Sequence, residues 1–157
     1  AVAGYCVGGA YCLVQFCDLA VAAENADFFY PEAQLGFCGG LIASTAARIP
    51  HKIAMELMLT GKHFDAQRAY EVGMVNQVVP VGKQVDVAMD YAKILANSAP
   101  LVVGMIKRFV RDTVTPKGPS ELHALARAEL FTIRNSEDQQ EGGAAFREKR
   151  TPIFKGR

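Results

Sequence analysis

The rhythm of this sequence changes at Pro80-Val81, and few folds accommodate both halves. Before that point short apolar runs are broken every few residues by glycine, proline or polar clusters. After it, apolar residues recur at intervals of three and four. The first part reads as strands near Ala1–Ala3, Leu19–Ala23, Phe28–Tyr30 and Val75–Val79. Helices alternate with them, from Gly9 and near Ile42–Arg48, Ile53–Leu59 and Ala66–Val72, the last stopped by Gly73. Such βα units gather around a largely parallel sheet. From Val81 the pattern is helical. Val85, Ala88, Met89, Ala92 and Leu95 form one amphipathic stripe, Leu101–Val114 follows Pro100, and Leu122–Ile133 makes a third helix. Thr115–Pro119 is the clearest linker. Ser136-Glu-Asp-Gln139 is a capping box that predicts a last helix toward Arg150. The fold class is therefore α/β, with residues 1–80 forming one region and 81–157 a helical one.

Two adjacent glycines, Gly8 and Gly9, close an apolar run and open a helix that carries no charge from Ala10 to Phe16. Glycine lets a ligand oxygen approach its peptide N–H closely, and N–H groups at a helix start have no intrahelical partner. The spacing Gly4-x-x-x-Gly8-Gly9 matches neither a dinucleotide fingerprint nor a nucleotide P-loop. Further along, Tyr30-Pro31-Glu32 places a carboxylate on a turn. Backbone donors beside a lone glutamate suit chemistry in which a carbonyl becomes an enolate while a neighbouring carbon exchanges a proton. A tight turn and a solvated carboxylate are the plainer alternatives for the same residues.

The run Ala1-Val-Ala-Gly-Tyr-x-x-Gly-Gly, with Cys17-Asp18-Leu19, Ala22–Phe28, Pro31-Glu32 and Leu35-Gly36, resembles the enoyl-CoA hydratase/isomerase (crotonase) superfamily. The likeness continues in order through Ala54–Leu57, Leu59-Thr60-Gly61, Gly73–Asn76, Val78-Val79-Pro80, Glu141-Gly142, Ala145-Phe146 and Glu148-Lys149-Arg150. The resemblance implies a partial crotonase-like ββα spiral followed by a C-terminal helical trimerisation region. It implies an acyl-CoA substrate with no separate cofactor, and a homo-oligomer that is a trimer or a dimer of trimers. It also implies a thioester enolate held in a backbone oxyanion hole by the Gly9 N–H, with Glu32 moving protons.

Family members are longer, and by this resemblance the chain corresponds to their C-terminal part. In the family an upstream half supplies the other oxyanion donor and much of the coenzyme A pocket, and it lies outside these residues. The position of the first hydratase glutamate is Cys12 here. A thiol is a poor replacement for a carboxylate in water addition. One carboxylate is enough to carry a proton between two carbons of an allylic system, so isomerase-like chemistry is the natural expectation. The alternatives are a catalytically impaired CoA-binding homologue and an oligomerisation fragment. Gly8, Tyr11, Cys12, Tyr30 and Phe37 flank the proposed site, as pocket wall or as core. Phe146 and Lys149 are the family-implied contacts to coenzyme A.

Charge and cysteine usage narrow the partners. The net charge of +1 disfavours nucleic acid or an anionic membrane, and no apolar stretch reaches membrane-spanning length. Residues 1–47 carry four acids and no Lys or Arg, so all seventeen basic residues lie beyond. The terminal cluster of Arg147, Lys149, Arg150, Lys155 and Arg157 suits coenzyme A phosphates or a solvated helix end. Cys6, Cys12, Cys17 and Cys38 have no metal-ligand spacing and read as buried, reduced thiols of a cytoplasmic or organelle-matrix protein. Asp18 reads as a local cap or packing acid, Met55, Met58 and Leu59 as helical core. His51, His63 and His123 are too scattered to bind metal together.

Overall fold

In a computed structural model of the chain, residues 1–37, 41–114, 127 and 130–157 are described. Strand β1 (Tyr5–Val7) leads through Gly8 into helix α1 (Gly9–Phe16). Strands β2 (Val21–Ala23) and β3 (Asp27–Phe29) follow, then a 3-10 helix over Leu41–Ala47 and helix α2 (His51–Thr60). After the short strand β4 (Phe64–Asp65) come α3 (Ala66–Glu71), β5 (Gln77–Val79), α4 (Gln84–Ala96) and α5 (Pro100–Phe109), which runs into a π-helical turn, Val110–Val114. Residues 130–134 are helical, and α6 is Glu137–Glu148.

Two small sheets form. In one, β3 is central, parallel to β1 and antiparallel to β4; in the other, β2 and β5 run parallel. Parallel pairing across long crossovers is what the βα alternation predicts. The β2–β5 pair is reinforced by Asn76, whose side-chain oxygen accepts from Ala20 N–H at 2.8 Å while its own N–H donates to Ala20 O at 2.8 Å. Tyr11, Phe28, Leu57 and Phe64 fill the core between the strands and α1–α3.

Several expectations shift. The strand expected at Ala1–Ala3 is a single bridge, Val2 to Ala22, and the true strand lies at Tyr5–Val7, where Asp27–Phe29 offers it a continuous partner. The expected helix at Ile42–Arg48 winds as 3-10. β4 escaped notice because two residues carry no period. On α2 the core residues are Ala54 and Leu57, whereas Leu59 is 63% exposed. Ser136 does cap α6, its hydroxyl accepting from Gln139 N–H at 3.0 Å. The linker at 115–119, most of the helix expected at 122–133, and Cys38 and His123 lie outside the described residues.

Helices α4 and α5 bury no residue at all. The apolar stripe read from the sequence is there, but it faces outward: Met89, Leu101, Met105 and Phe109 are all exposed. Among the described residues no helix is long and apolar enough to cross a membrane.

Candidate functional site

Strand β1 delivers the chain to Gly8, whose φ of 55° and ψ of −114° lie where side chains other than hydrogen are strained. The Gly8 N–H donates to Phe29 O at 3.4 Å, and its carbonyl accepts the first bond of α1 from Cys12 N–H at 3.0 Å. The amides of Gly9, Ala10 and Tyr11 precede that bond and have no intrahelical acceptor. Gly9 is exposed, and a Cβ placed on it meets nothing within 4 Å. Gly8 is buried, and a Cβ there would stand 2.6 Å from Glu32 Oε1. Gly8 and Glu32, 24 positions apart along the chain, therefore meet.

Glu32 sits in a compact turn. Gln34 N–H donates to Pro31 O at 2.9 Å and Phe37 N–H to Glu32 O at 2.9 Å, while the Gln34 amide reaches Thr60 O at 2.6 Å, tying the turn to the end of α2. Glu32 as a whole residue is 8% exposed, and its Oε2 has no hydrogen-bond partner. Burial pushes its carboxyl above the ordinary carboxylate range, its own amide opposing. A carboxyl so placed both takes and returns a proton more readily than a solvated one, since its pKa lies closer to working pH.

The remaining expected residues divide. Phe37 lines a largely apolar cavity of about 650 Å³ with Ala33, Phe131, Ile133, Asn135 and Arg157. Tyr11, Cys12 and Tyr30 are buried members of the core instead: Tyr11 and Cys12 lie on the inward face of α1, and Tyr30 directly follows β3. The hydroxyls of Tyr11 and Thr45 are both buried without a hydrogen bond of good geometry. Burial pushes the phenol well up, and the neighbouring Thr45 opposes it. Cys6 is buried and its thiol is pushed up to about 11, but Cys17 is exposed, contrary to expectation. Phe146 is 72% exposed on the last turn of α6, and Lys149 caps that helix with φ 55°. Asp18 is neither cap nor packing acid: it pairs with Lys107 at 2.6 Å on the surface. His63 pairs with Asp27 at 2.7 Å and stacks on Phe29.

No local pattern foretold how the acids of α6 pair with the C-terminal residues. Glu141 takes Arg150 in two bonds, at 2.6 and 2.9 Å, and the Ile153 N–H at 2.9 Å. Asp138 accepts from the Lys155 and Gly156 amides, and Glu137 pairs with Lys155 and Arg157. Much of the terminal basic cluster is thus spent on its own helix. Among the described residues no three His, Cys, Asp or Glu side chains gather as a metal site.

The order of motifs along the chain matches the enoyl-CoA hydratase/isomerase family model over residues 1–157. The chain belongs to the enoyl-CoA hydratase/isomerase family. The carnitinyl-CoA dehydratase of Proteus mirabilis is 37% identical over an alignment covering all of this chain and 62% of that protein. A crystal structure of carnitinyl-CoA hydratase from Mycobacterium avium superposes with a TM-score of 0.88 at 35% identity, covering 98% of this chain and 60% of that one. Methylmalonyl-CoA decarboxylase gives 0.82 at 31%, covering 99% and 62%. The chain thus spans about three fifths of the length of these relatives, and it shares the family's α/β fold with members named for different reactions.

Proposed function

We propose that the chain contributes to an acyl-CoA site of the hydratase/isomerase type, in which the Gly9 N–H receives the thioester oxygen as it becomes an enolate and Glu32 moves the proton. The observation that carries this reading is the packing of a buried carboxyl, its Oε2 without a hydrogen-bond partner, against the glycine that precedes α1, one residue before the exposed Gly9 amide. A helix start stabilises developing negative charge where it appears, which is the requirement of an enolate. Acyl-CoA enters as substrate, and the chemistry calls for no resident cofactor. Cys12, 6% exposed and packed in the core, supplies no second carboxylate. Proton transfer by Glu32 alone, out of one carbon and back onto another, therefore suits the site better than assisted water addition. The carnitinyl-CoA enzymes among the relatives make a carnitinyl thioester the first acyl group to try.

The exposed apolar faces of α4 and α5 support assembly of this chain with copies of itself, as a trimer or a dimer of trimers. Phe146 and Lys149, exposed at the end of α6, are available to coenzyme A. The bacterial relatives favour a cytoplasmic setting. Incubation of the full-length protein with acyl-CoA in D₂O tests the reading: α-proton exchange above background is expected, and Glu32→Gln abolishes it. Exchange unaffected by that substitution refutes the role given to Glu32.

A further inference from the structure

Two glycines outside the proposed site carry an unusual constraint. A Cβ on Gly142, in the second turn of α6, would overlap the carbonyl of Leu35. A Cβ on Gly36, at φ 67°, would stand 2.5 Å from Asp138 O and 3.2 Å from Gln139 Cα. In both cases the obstacle is backbone, which cannot rotate away as a side chain does. The main chain of residues 35–36, three and four beyond Glu32, is therefore pressed against the main chain of α6 with no side chain between them. On the other flank, Gln34 fastens the same turn to Thr60 O. The Glu32 turn is gripped from two sides, and its α6 side depends on a missing methyl group.

We infer that Gly142 and Gly36 are positioning residues: by letting α6 dock directly on residues 35–36, they hold the Glu32 carboxyl against the Gly8–Gly9 helix start. This rests on the role proposed for Glu32. Direct backbone contact is a rigid mount, and misplacing a reacting group by a fraction of an ångström costs rate while leaving distant binding contacts intact. The acid cluster of α6 adds to the arrangement, since Asp138 and Glu141 tie residues 153–156 to the same helix.

The test uses full-length enzyme and an acyl-CoA substrate. Gly142→Ala is expected to lower kcat by about tenfold or more with KM within about twofold. Moving the turn also admits water to Glu32, so the acid limb of the kcat–pH profile shifts to lower pH. Gly143→Ala, one residue along, is the control: its Cβ meets only Arg147 Nη1 at 3.5 Å, and wild-type kinetics are expected. If Gly142→Ala does not fold, Ser136→Ala replaces it. That change adds no atom but frays the α6 turn holding Asp138 O against Gly36, and a smaller fall in kcat with the same direction of limb shift is expected. Glu32→Gln separates the two claims. If it abolishes turnover while the α6 variant keeps wild-type kcat and acid limb, the positioning role is overturned alone. If Glu32→Gln leaves turnover intact, both are overturned.

Discussion

Replacing Gly8 and Gly9 separately by alanine pulls apart two effects that the geometry assigns to adjacent residues. At position 8 the backbone, φ 55° and ψ −114°, lies in a region that costs about 1–3 kcal/mol for a residue with a Cβ. The methyl would also stand 2.6 Å from Glu32 Oε1, and forcing that side chain off its rotamer adds roughly 1 kcal/mol. The sum is about 2–4 kcal/mol, which at ~2–4 °C per kcal/mol for a chain of this size lowers Tm by roughly 5–15 °C. At position 9 φ is not positive and a methyl meets nothing within 4 Å, so alanine leaves Tm unchanged or raises it slightly. That methyl nevertheless stands beside the exposed amide where the thioester oxygen is proposed to arrive, so α-proton exchange falls. Thermal melts followed by circular dichroism, run beside exchange in D₂O, read both effects. A Gly8→Ala protein that melts with the wild type refutes the packing argument. A Gly9→Ala protein with wild-type melt and full exchange refutes a close approach of the thioester oxygen to the Gly9 amide on the side where the methyl stands.

Two other perturbations have definite outcomes. Glu141 is held down to about 2, from an ordinary value near 4.5, first by its hydrogen bonds to Arg150 and then by the Ile153 amide. A depressed carboxyl contributes stability that is full above the unfolded value and is lost as pH falls through the folded one. The wild type should therefore lose Tm between about pH 4.5 and 2 more steeply than Glu141→Gln, and parallel Tm–pH curves rule out the pairing as a source of stability. Asn76→Ala leaves the Ala20 N–H without its acceptor at 2.8 Å, costing about 1–3 kcal/mol, whereas Asn76→Asp keeps an oxygen there and costs less. Urea midpoints read the difference, and equal midpoints for wild type and Asn76→Ala would show the bond to be without consequence.

Local rules carried the sequence reading well where the determinant was local. The start of α1 after paired glycines, the Ser136 cap and the alternation of strand and helix all follow from backbone preferences of a few neighbouring residues. The meeting of Gly8 with Glu32 follows from no local rule, because 23 residues intervene between them. Positions decided by what comes from afar were not legible. Tyr5–Val7 became the strand because Asp27–Phe29 lies beside it, although Ala1–Ala3 is the more apolar run. The stripes of α4 and α5 announce amphipathic helices but not which surface they meet. Gly142 looked like one glycine of a matched pair of letters, Glu141-Gly142, and only the approach of Leu35 O reveals why a methyl is excluded there.

The parallel pairing of Val21–Ala23 with Gln77–Val79 bears on how the chain reaches its native state. A ladder joining segments more than fifty positions apart closes late, after a large loss of chain entropy, and such topologies fold slowly. Until Gln77–Val79 arrives, a fully apolar strand waits with the edge opposite its bridge to Val2 open, the condition under which nascent chains adhere to one another. During synthesis that interval lasts at least as long as the ribosome needs to deliver α2 and α3, so demand for a chaperone should concentrate there.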